Sequence, residues 1–202
     1  MVRLGEIGEL FFKGGVIMYP LLLCSIISLA VFIERVLFLK NKKSDRKFLK
    51  QAMDALSNGE RIKALNLAQE SQGDCAHMVA SCLQLPCQAA ELESILETQT
   101  TLMVETYEDR LDVLSTIITM APLLGLLGTI IGMISSFKIL DVRSGQPFAI
   151  TGGIAEALIA TAFGLTVALF SLVLYGILKR KIASLNKQLV QCCLALQTAK
   201  RG

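Results

Sequence analysis

The stretch VLSTIITMAPLLGLLGTIIGMISSF, residues 113–137, contains no charged side chain and is long enough to cross a lipid bilayer. Two further stretches have the same character. Residues 16–39 are uncharged as far as Ile33, and residues 148–178 carry a single charge, at Glu156. Helices in soluble cores seldom contain apolar runs of this length. The three stretches therefore predict an all-α membrane protein with three transmembrane helices.

The composition supports a membrane protein and argues against several other classes. Of the 202 residues, 53% are hydrophobic and 18% are charged, whereas soluble domains carry about 25% charge. The net charge of +3 gives no reason to expect a nucleic-acid partner. Six cysteines scattered along a chain of this length do not suggest a small disulfide-stapled protein. The first apolar run ends in Glu34-Arg35 instead of a small-residue cleavage site, so it is predicted to be a retained helix.

The distribution of basic residues predicts the direction of the three spans. Cytoplasmic flanks of membrane helices are enriched in lysine and arginine. Clusters of such residues directly follow the first and third spans in the sequence. The loop at 138–147 has only two, and an aspartate offsets one of their charges. The N-terminal segment 1–15 and this loop are therefore predicted to be periplasmic, and segments 40–112 and 179–202 cytoplasmic. The chain would then be N-out and C-in.

Both predicted cytoplasmic segments have helical patterns. Turn signals near residues 58–59 and 72–74 separate predicted helices at 45–56 and 60–69, and Pro86 predicts a further break. The helix that begins near Ala89 is predicted to continue without a break into the second span. The tail is predicted to extend the third span as a helix with a buried a/d seam, although an amphipathic tail on lipid headgroups is the alternative. The seam consists of Ile182, Leu185, Leu189, Cys192 and Leu196.

Small residues in the second and third spans predict close helix packing. In lipid, such residues let two helix backbones approach each other. The predicted packing residues are Pro122, Gly125, Gly128, Gly132, Gly153 and Gly164. Gly125, Thr129 and Ser136 share one face of an ideal helix. This face predicts packing alone, or packing combined with a polar path lined by the two hydroxyls.

Glu156 is the acidic residue that the third span carries. A charged side chain at the centre of a membrane helix costs about 2.5–3.5 kcal/mol on insertion scales. Its carboxyl group should therefore face protein or water, be protonated, or lie near the membrane interface. Thr161 lies about 140° around an ideal helix from Glu156. The two side chains are expected to contact different neighbours or different depths of one cavity.

Other polar residues give weaker indications. Glu34 and Arg35 are predicted to be interfacial, with the Arg35 side chain snorkelling to the headgroups. A loose group of possible ligands comprises Cys75, His77, Cys82 and Cys87, but its spacing differs from that of common zinc modules. We therefore expect no metal site and no cofactor. No nucleotide loop, catalytic triad or zinc-protease motif occurs in the sequence, which indicates that the protein is not an enzyme.

Two motifs resemble those of one family of membrane proteins. APLLGLLGTIIGM at residues 121–133 resembles the second-span signature of the ExbB/TolQ/MotA proton-channel family, and GIAEALIATAFGL at residues 153–165 resembles its third-span signature. Glu34-Arg35 after the first span also fits. The three-span plan resembles the ExbB/TolQ branch more than the four-span MotA branch. The short N-terminal segment and the cysteine content depart from that branch.

The resemblance implies a function, partners and site residues. It implies a subunit of a motor in the bacterial inner membrane, driven by the proton-motive force. The chain would form a homo-oligomeric ring, typically a pentamer, around a single-span ExbD/TolR-like partner with a protonatable aspartate. Thr129, Glu156 and Thr161 would line the pore. The complex would transmit energy to a TonB- or TolA-like protein for outer-membrane transport or envelope integrity.

Two other functions fit parts of the sequence. Intramembrane polar residues would also suit a small stand-alone transporter, although the chain shows no internal repeat. A helical cytoplasmic region would suit a membrane scaffold that recruits a soluble protein. The sequence leaves open the choice between ExbB and TolQ, the cargo, and whether a proton or a sodium ion is conducted.

Overall fold

The computed structural model describes residues 14–84, 89–142 and 147–201. Within these ranges every regular element is an α-helix. The segment up to residue 13, the break predicted at Pro86, and loop residues 143–146 lie outside the described residues. In chain order the helices are α1 (Met18–Lys42), α2 (Arg46–Ser57), α3 (Arg61–Glu70), α4 (Asp74–Gln84), α5 (Ala89–Glu108), α6 (Leu111–Val142) and α7 (Pro147–Arg201).

Three of the helices are long and apolar enough to cross a membrane, which confirms the predicted fold class. They are α1, α6 and α7, the helices that contain the three apolar stretches. Helix α7 continues without interruption through the third span and the tail, as the sequence predicts. The direction in which the helices cross the membrane stays a prediction.

The helix predicted to continue from residue 89 into the second span is in fact interrupted. Helix α5 ends at Glu108 and α6 begins at Leu111. Between them Arg110 has a φ of 62°, a left-handed conformation that an α-helix does not contain. The prediction was wrong because neither glycine nor proline marks this break in the sequence.

Packing divides the chain into two units. The first unit comprises the described residues up to Phe32 together with those between Arg110 and Gly176. Its core is formed by Met18, Leu21, Ile117, Ala121, Val167 and Ala168. Many of its large apolar side chains remain exposed, among them Leu123, Leu158 and Leu169, which are all 64% exposed. Apolar surface of this extent is typical of contact with lipid or with another chain.

The second unit comprises residues 33–109 and 177–202, as far as they are described. Helix α3 packs against both α2 and α4. Helices α2 and α3 confirm the two short helices predicted at 45–56 and 60–69, and Asp45 caps α2 by accepting a hydrogen bond from the Lys47 backbone N–H at 3.2 Å. All five residues of the predicted tail seam are buried in the part of α7 that belongs to this unit.

Candidate functional site

Helices α6 and α7 approach each other closely along a ladder of small residues in the first unit. A Cβ added to Gly164 would lie 2.6 Å from the Ala121 carbonyl oxygen and 2.9 Å from the Gly125 Cα. A Cβ at Gly128 would lie 2.6 Å from the Ala160 Cβ. Real Cβ atoms do not tolerate contacts this short. At these positions the two backbones are therefore as close as glycine allows.

The ladder continues toward the C-terminal end of α6 and the N-terminal end of α7. A Cβ at Gly132 would meet the Ala157 Cβ at 3.0 Å, and one at Gly153 would collide with the Ser136 hydroxyl. Ser136 is buried and donates to the Gly132 carbonyl at 2.9 Å. Its hydroxyl is therefore occupied within α6. Pro122 lies inside α6, half-buried, without ending the helix.

Thr161 forms a hydrogen bond between the two helices at the centre of the ladder. Its hydroxyl donates to the Gly125 carbonyl at 3.0 Å. The absence of a side chain on Gly125 makes this approach possible, since a Cβ there would lie 3.1 Å from the Thr161 Cα. Thr129 is half-buried and instead donates to the Leu126 carbonyl of its own helix at 2.6 Å. Of the two threonines, Thr161 makes the contact between helices.

Glu156 lies half-buried on α7, and its carboxylate rests against Gly15. Gly15 has a φ of +71° and precedes α1, whose Met18 N–H donates to the Gly15 carbonyl at 3.2 Å. A side chain at Gly15 would be strained and would also collide with the Glu156 carboxylate. Gly15 thus provides the space that the carboxylate occupies, close to the helix end that favours negative charge.

Glu156 and Thr161 contact different neighbours, as their spacing on a helix predicts. Glu156 lies beside the segment that precedes α1, whereas Thr161 faces α6. Within the described ranges, no lysine or arginine forms an ion pair with Glu156. The arrangement therefore places an acidic group, without a described counter-ion, in an otherwise uncharged membrane span. Such a group is suited to bind and release a cation.

A second polar contact in the first unit joins α1 to α7. The Ser28 and Ser171 hydroxyls lie 2.8 Å apart, and both residues are fully buried. On an ideal helix Ser171 lies on one stripe with Glu156, Ala160 and Val167. Nothing in the sequence pattern indicated Ser28. The stripe is the face of α7 that is turned into the first unit, since Ala160 is 1% and Val167 is 9% exposed.

Arg35 does not snorkel, contrary to the prediction. It is only 3% exposed and donates to the Asp109 carboxylate at 2.8 Å and to the Thr106 carbonyl at 3.2 Å. Its guanidinium carbon also lies 5.0 Å from the centre of the Phe38 ring. The prediction was wrong because Asp109 is distant in sequence, so the pairing could not be anticipated. Arg35 thus joins α1 to Asp109, the residue that directly follows α5 in the second unit.

Asp74 is the centre of a buried polar network that sequence reasoning did not identify. Its carboxylate accepts from the Tyr107 hydroxyl at 2.7 Å and from the Lys42 ammonium at 3.2 Å. Asp74 is 7% exposed and Tyr107 is 1% exposed. Burial, together with the hydrogen bond to Asp74, raises the pKa of Tyr107. The network connects α1, α4 and α5 within the second unit.

We expect Tyr107→Phe to lower the free energy of unfolding by about 1–3 kcal/mol, because it leaves a buried carboxylate oxygen without its donor. Thr101→Val on the same helix is the control. Thr101 is exposed and bonds only to its own helix, so its replacement should change stability by less than about 0.5 kcal/mol. Denaturant unfolding of the detergent-solubilised protein measures both. Equal free energies of unfolding for the two variants would show that the Tyr107–Asp74 hydrogen bond does not stabilise the protein.

Three of the four possible metal ligands of the second unit lie within the described residues. Cys75 and Cys82 are buried, His77 is exposed, and Cys87 lies outside the described residues. In the described part of the chain, no group of three or more potential ligands is placed to hold a metal ion. Cys75 instead faces Cys192 of the tail seam, and their hydrogen bond lowers the pKa of Cys75 and raises the pKa of Cys192.

Comparison with known proteins matches this chain to one family of membrane proteins. The model of the MotA/TolQ/ExbB proton channel family matches residues 40–191. A putative biopolymer transport protein, ExbB-like 1, of Synechocystis is 34% identical over 83% of this chain and 68% of its own length. An ExbB homolog of Methanothermobacter thermautotrophicus is 29% identical over 88% of this chain and 64% of its own length. The Tol-Pal system protein TolQ of Haemophilus influenzae is 33% identical over 42% of this chain and 37% of its own length.

Proposed function

We propose that this chain, which belongs to the MotA/TolQ/ExbB proton channel family, is the channel-forming subunit of a motor in the inner membrane. The family membership supports a role in energy transduction of the TonB/Tol type, not an enzymatic one. The observation that carries the proposal is the Glu156 carboxylate, half-buried beside Gly15 in an otherwise uncharged span.

The proposed ion path includes Glu156, Thr161 and Thr129. Glu156 would take up and release the proton, because the third span offers no other titratable carboxyl group. Thr161 would hold the α6–α7 pair in register through its bond to Gly125, while its oxygen stays available to the path. Thr129, on α6, would supply a further hydroxyl. Gly15 is a positioning residue for Glu156.

The single carboxyl group in the third span of each chain makes an incomplete path across a membrane. We infer that a second acidic group comes from a partner, a single-span ExbD/TolR-like chain held inside a homo-oligomeric ring of this subunit. The exposed apolar faces of the first unit offer surface for lipid and for neighbouring copies. One charge that crosses 100 mV releases about 2.3 kcal/mol. This energy would be passed to a TonB- or TolA-like transducer.

The same proposal sets the direction of the chain in the membrane. The lysines that follow α1 and those near the end of the third span support a cytoplasmic location for the second unit. The N-terminus and the loop between the second and third spans would then be periplasmic. A proton that moves inward down the membrane potential would enter from the side of that loop.

Native mass spectrometry of the detergent-purified chain, alone and with a single-span partner that bears an aspartate, tests the proposal. We expect a ring of identical chains that captures fewer copies of the partner than it has subunits. A partner whose aspartate is replaced by asparagine should still be captured, since capture depends on helix packing. A monomer that ignores both partners would contradict the proposed assembly.

A further inference from the structure

A basic cavity lies between the end of α1 and the tail part of α7, within the second unit. Its volume is about 220 Å³. Three lysines line it, Lys40 and Lys43 from the end of α1 and the residue that follows it, and Lys181 from α7. Ser184 adds a hydroxyl. Three lysines and one serine therefore line a single space.

These lysines differ from Lys42, which lies among them in sequence. Lys42 is paired with the buried Asp74. In the described part of the chain, no carboxylate pairs with Lys40, Lys43 or Lys181, and none lines the cavity. Three like charges around one small space repel one another, and an anion bound there would relieve this repulsion.

The remaining wall of the cavity is apolar. Val36, Leu39 and Leu185 complete its lining. Free inorganic phosphate would gain nothing from these side chains, because it has no apolar surface to bury. A phosphate joined to acyl chains would use both parts of the wall. The cavity thus matches an amphipathic anion better than a soluble one.

A second cavity continues along the same face of α7. Ser184 lines both cavities, and the second one, of about 480 Å³, is also lined by Lys50 and Lys187. Gln188 lines it too; this residue is 8% exposed, and its side-chain oxygen is buried without a hydrogen-bond partner.

We propose that Lys40, Lys43 and Lys181 form a binding site for the phosphate of an anionic phospholipid, with the lipid's apolar part against Val36, Leu39 and Leu185. Lys40 follows the first span and Lys181 follows the third within continuous helices, so both lie where a headgroup region is expected. The site does not depend on proton conduction. Its test therefore succeeds or fails separately from the proposed function.

The test is retention of phosphatidylglycerol by the full-length protein, measured by native mass spectrometry after delipidation and titration with the lipid. Replacing Lys40, Lys43 and Lys181 together with glutamine should lower the affinity by about tenfold or more, since each basic residue near an anionic surface contributes several-fold. The control replaces Lys47, Lys63 and Arg180 with glutamine. These residues are exposed and lie outside both cavities, so the control loses the same charge without changing the site.

Two further arms identify the source of the phosphate. Phosphatidylcholine, which has the same apolar part and no net charge, should bind at least about tenfold more weakly than phosphatidylglycerol. Soluble glycerophosphoglycerol should not displace the bound lipid at equal concentration. Displacement would show a site for a free phosphate ester and would overturn the lipid assignment. If the site variant and the control lost the same affinity for phosphatidylglycerol, the binding would reflect general attraction between charges. That result would also overturn the proposed site.

Folding of the variants is checked by circular dichroism and gel filtration. Lys43 lies outside the helices, so Lys43→Gln alone leaves helix α1 unchanged and provides a variant that should fold. It should lower the affinity for phosphatidylglycerol several-fold. An unchanged affinity in a folded Lys43→Gln variant would remove this lysine from the site, and the proposed three-lysine site would then be wrong.

Discussion

Glu156→Gln should abolish energised outer-membrane function in cells while the complex still assembles. Glutamine keeps the shape of the side chain and its fit against Gly15, but it cannot release a proton. A positioned proton-transfer group contributes about a hundredfold or more to the rate of its step, so the activity should fall by at least about that factor. Uptake or envelope-integrity assays in a strain that lacks the native chain measure the loss.

The matched control for this experiment is Asp112→Asn. Asp112 is an exposed acid in the first turn of α6 and belongs to the same unit as Glu156. Its replacement removes one negative charge without touching the proposed path, so we expect activity close to that of the wild type. Full activity in Glu156→Gln would refute the assigned role of Glu156. Equal loss in both variants would point to a general effect of charge on the unit.

Gly164→Ala should destabilise the first unit by about 1–3 kcal/mol or more, because the new methyl group would overlap backbone atoms of α6. The nearest are the Ala121 carbonyl oxygen at 2.6 Å and the Gly125 Cα at 2.9 Å. Neither belongs to a flexible side chain that could move aside. The two helices would have to separate, which would also lengthen the Thr161–Gly125 hydrogen bond. Thermal unfolding in detergent measures the change.

Gly176→Ala is the control for the packing prediction. Gly176 lies on the same helix, and a Cβ there would meet nothing within 4 Å. Alanine is favoured over glycine in a helix by up to about 1 kcal/mol, so this variant should be unchanged or slightly more stable. The two substitutions are chemically identical, but only Gly164→Ala should lower the stability. If both had the same effect, the close approach of α6 and α7 would not explain the first one.

Local pattern was sufficient to predict much of the fold. The uncharged run at residues 113–137, the basic clusters and the 3–4 spacing of the tail seam are properties of neighbouring residues. From these the three long helices, the two short helices α2 and α3 and the buried seam could be predicted. The break at Arg110 could not, because its φ of 62° occurs without a glycine or proline signal.

The residues that were missed depend on contacts between distant parts of the chain. Glu156 and Thr161 stood out as polar residues in an apolar span, but their neighbours Gly15 and Gly125 could not be paired with them from spacing. Arg35 looked like an interfacial cation, because its partner Asp109 is 74 positions away. A polar residue in an apolar segment can thus be recognised in the sequence, but the residue that satisfies it can be found only in the fold.

We propose that the assembled subunit conducts protons through Glu156. The most direct test of this proposal is proton flux into liposomes that contain the chain together with its single-span partner, under an imposed potential and with a pH-sensitive dye inside. We predict flux for the wild-type complex, none for the chain without the partner, and at least about a hundredfold less for Glu156→Gln. Undiminished flux through the Glu156→Gln complex would show that Glu156 does not carry the proton.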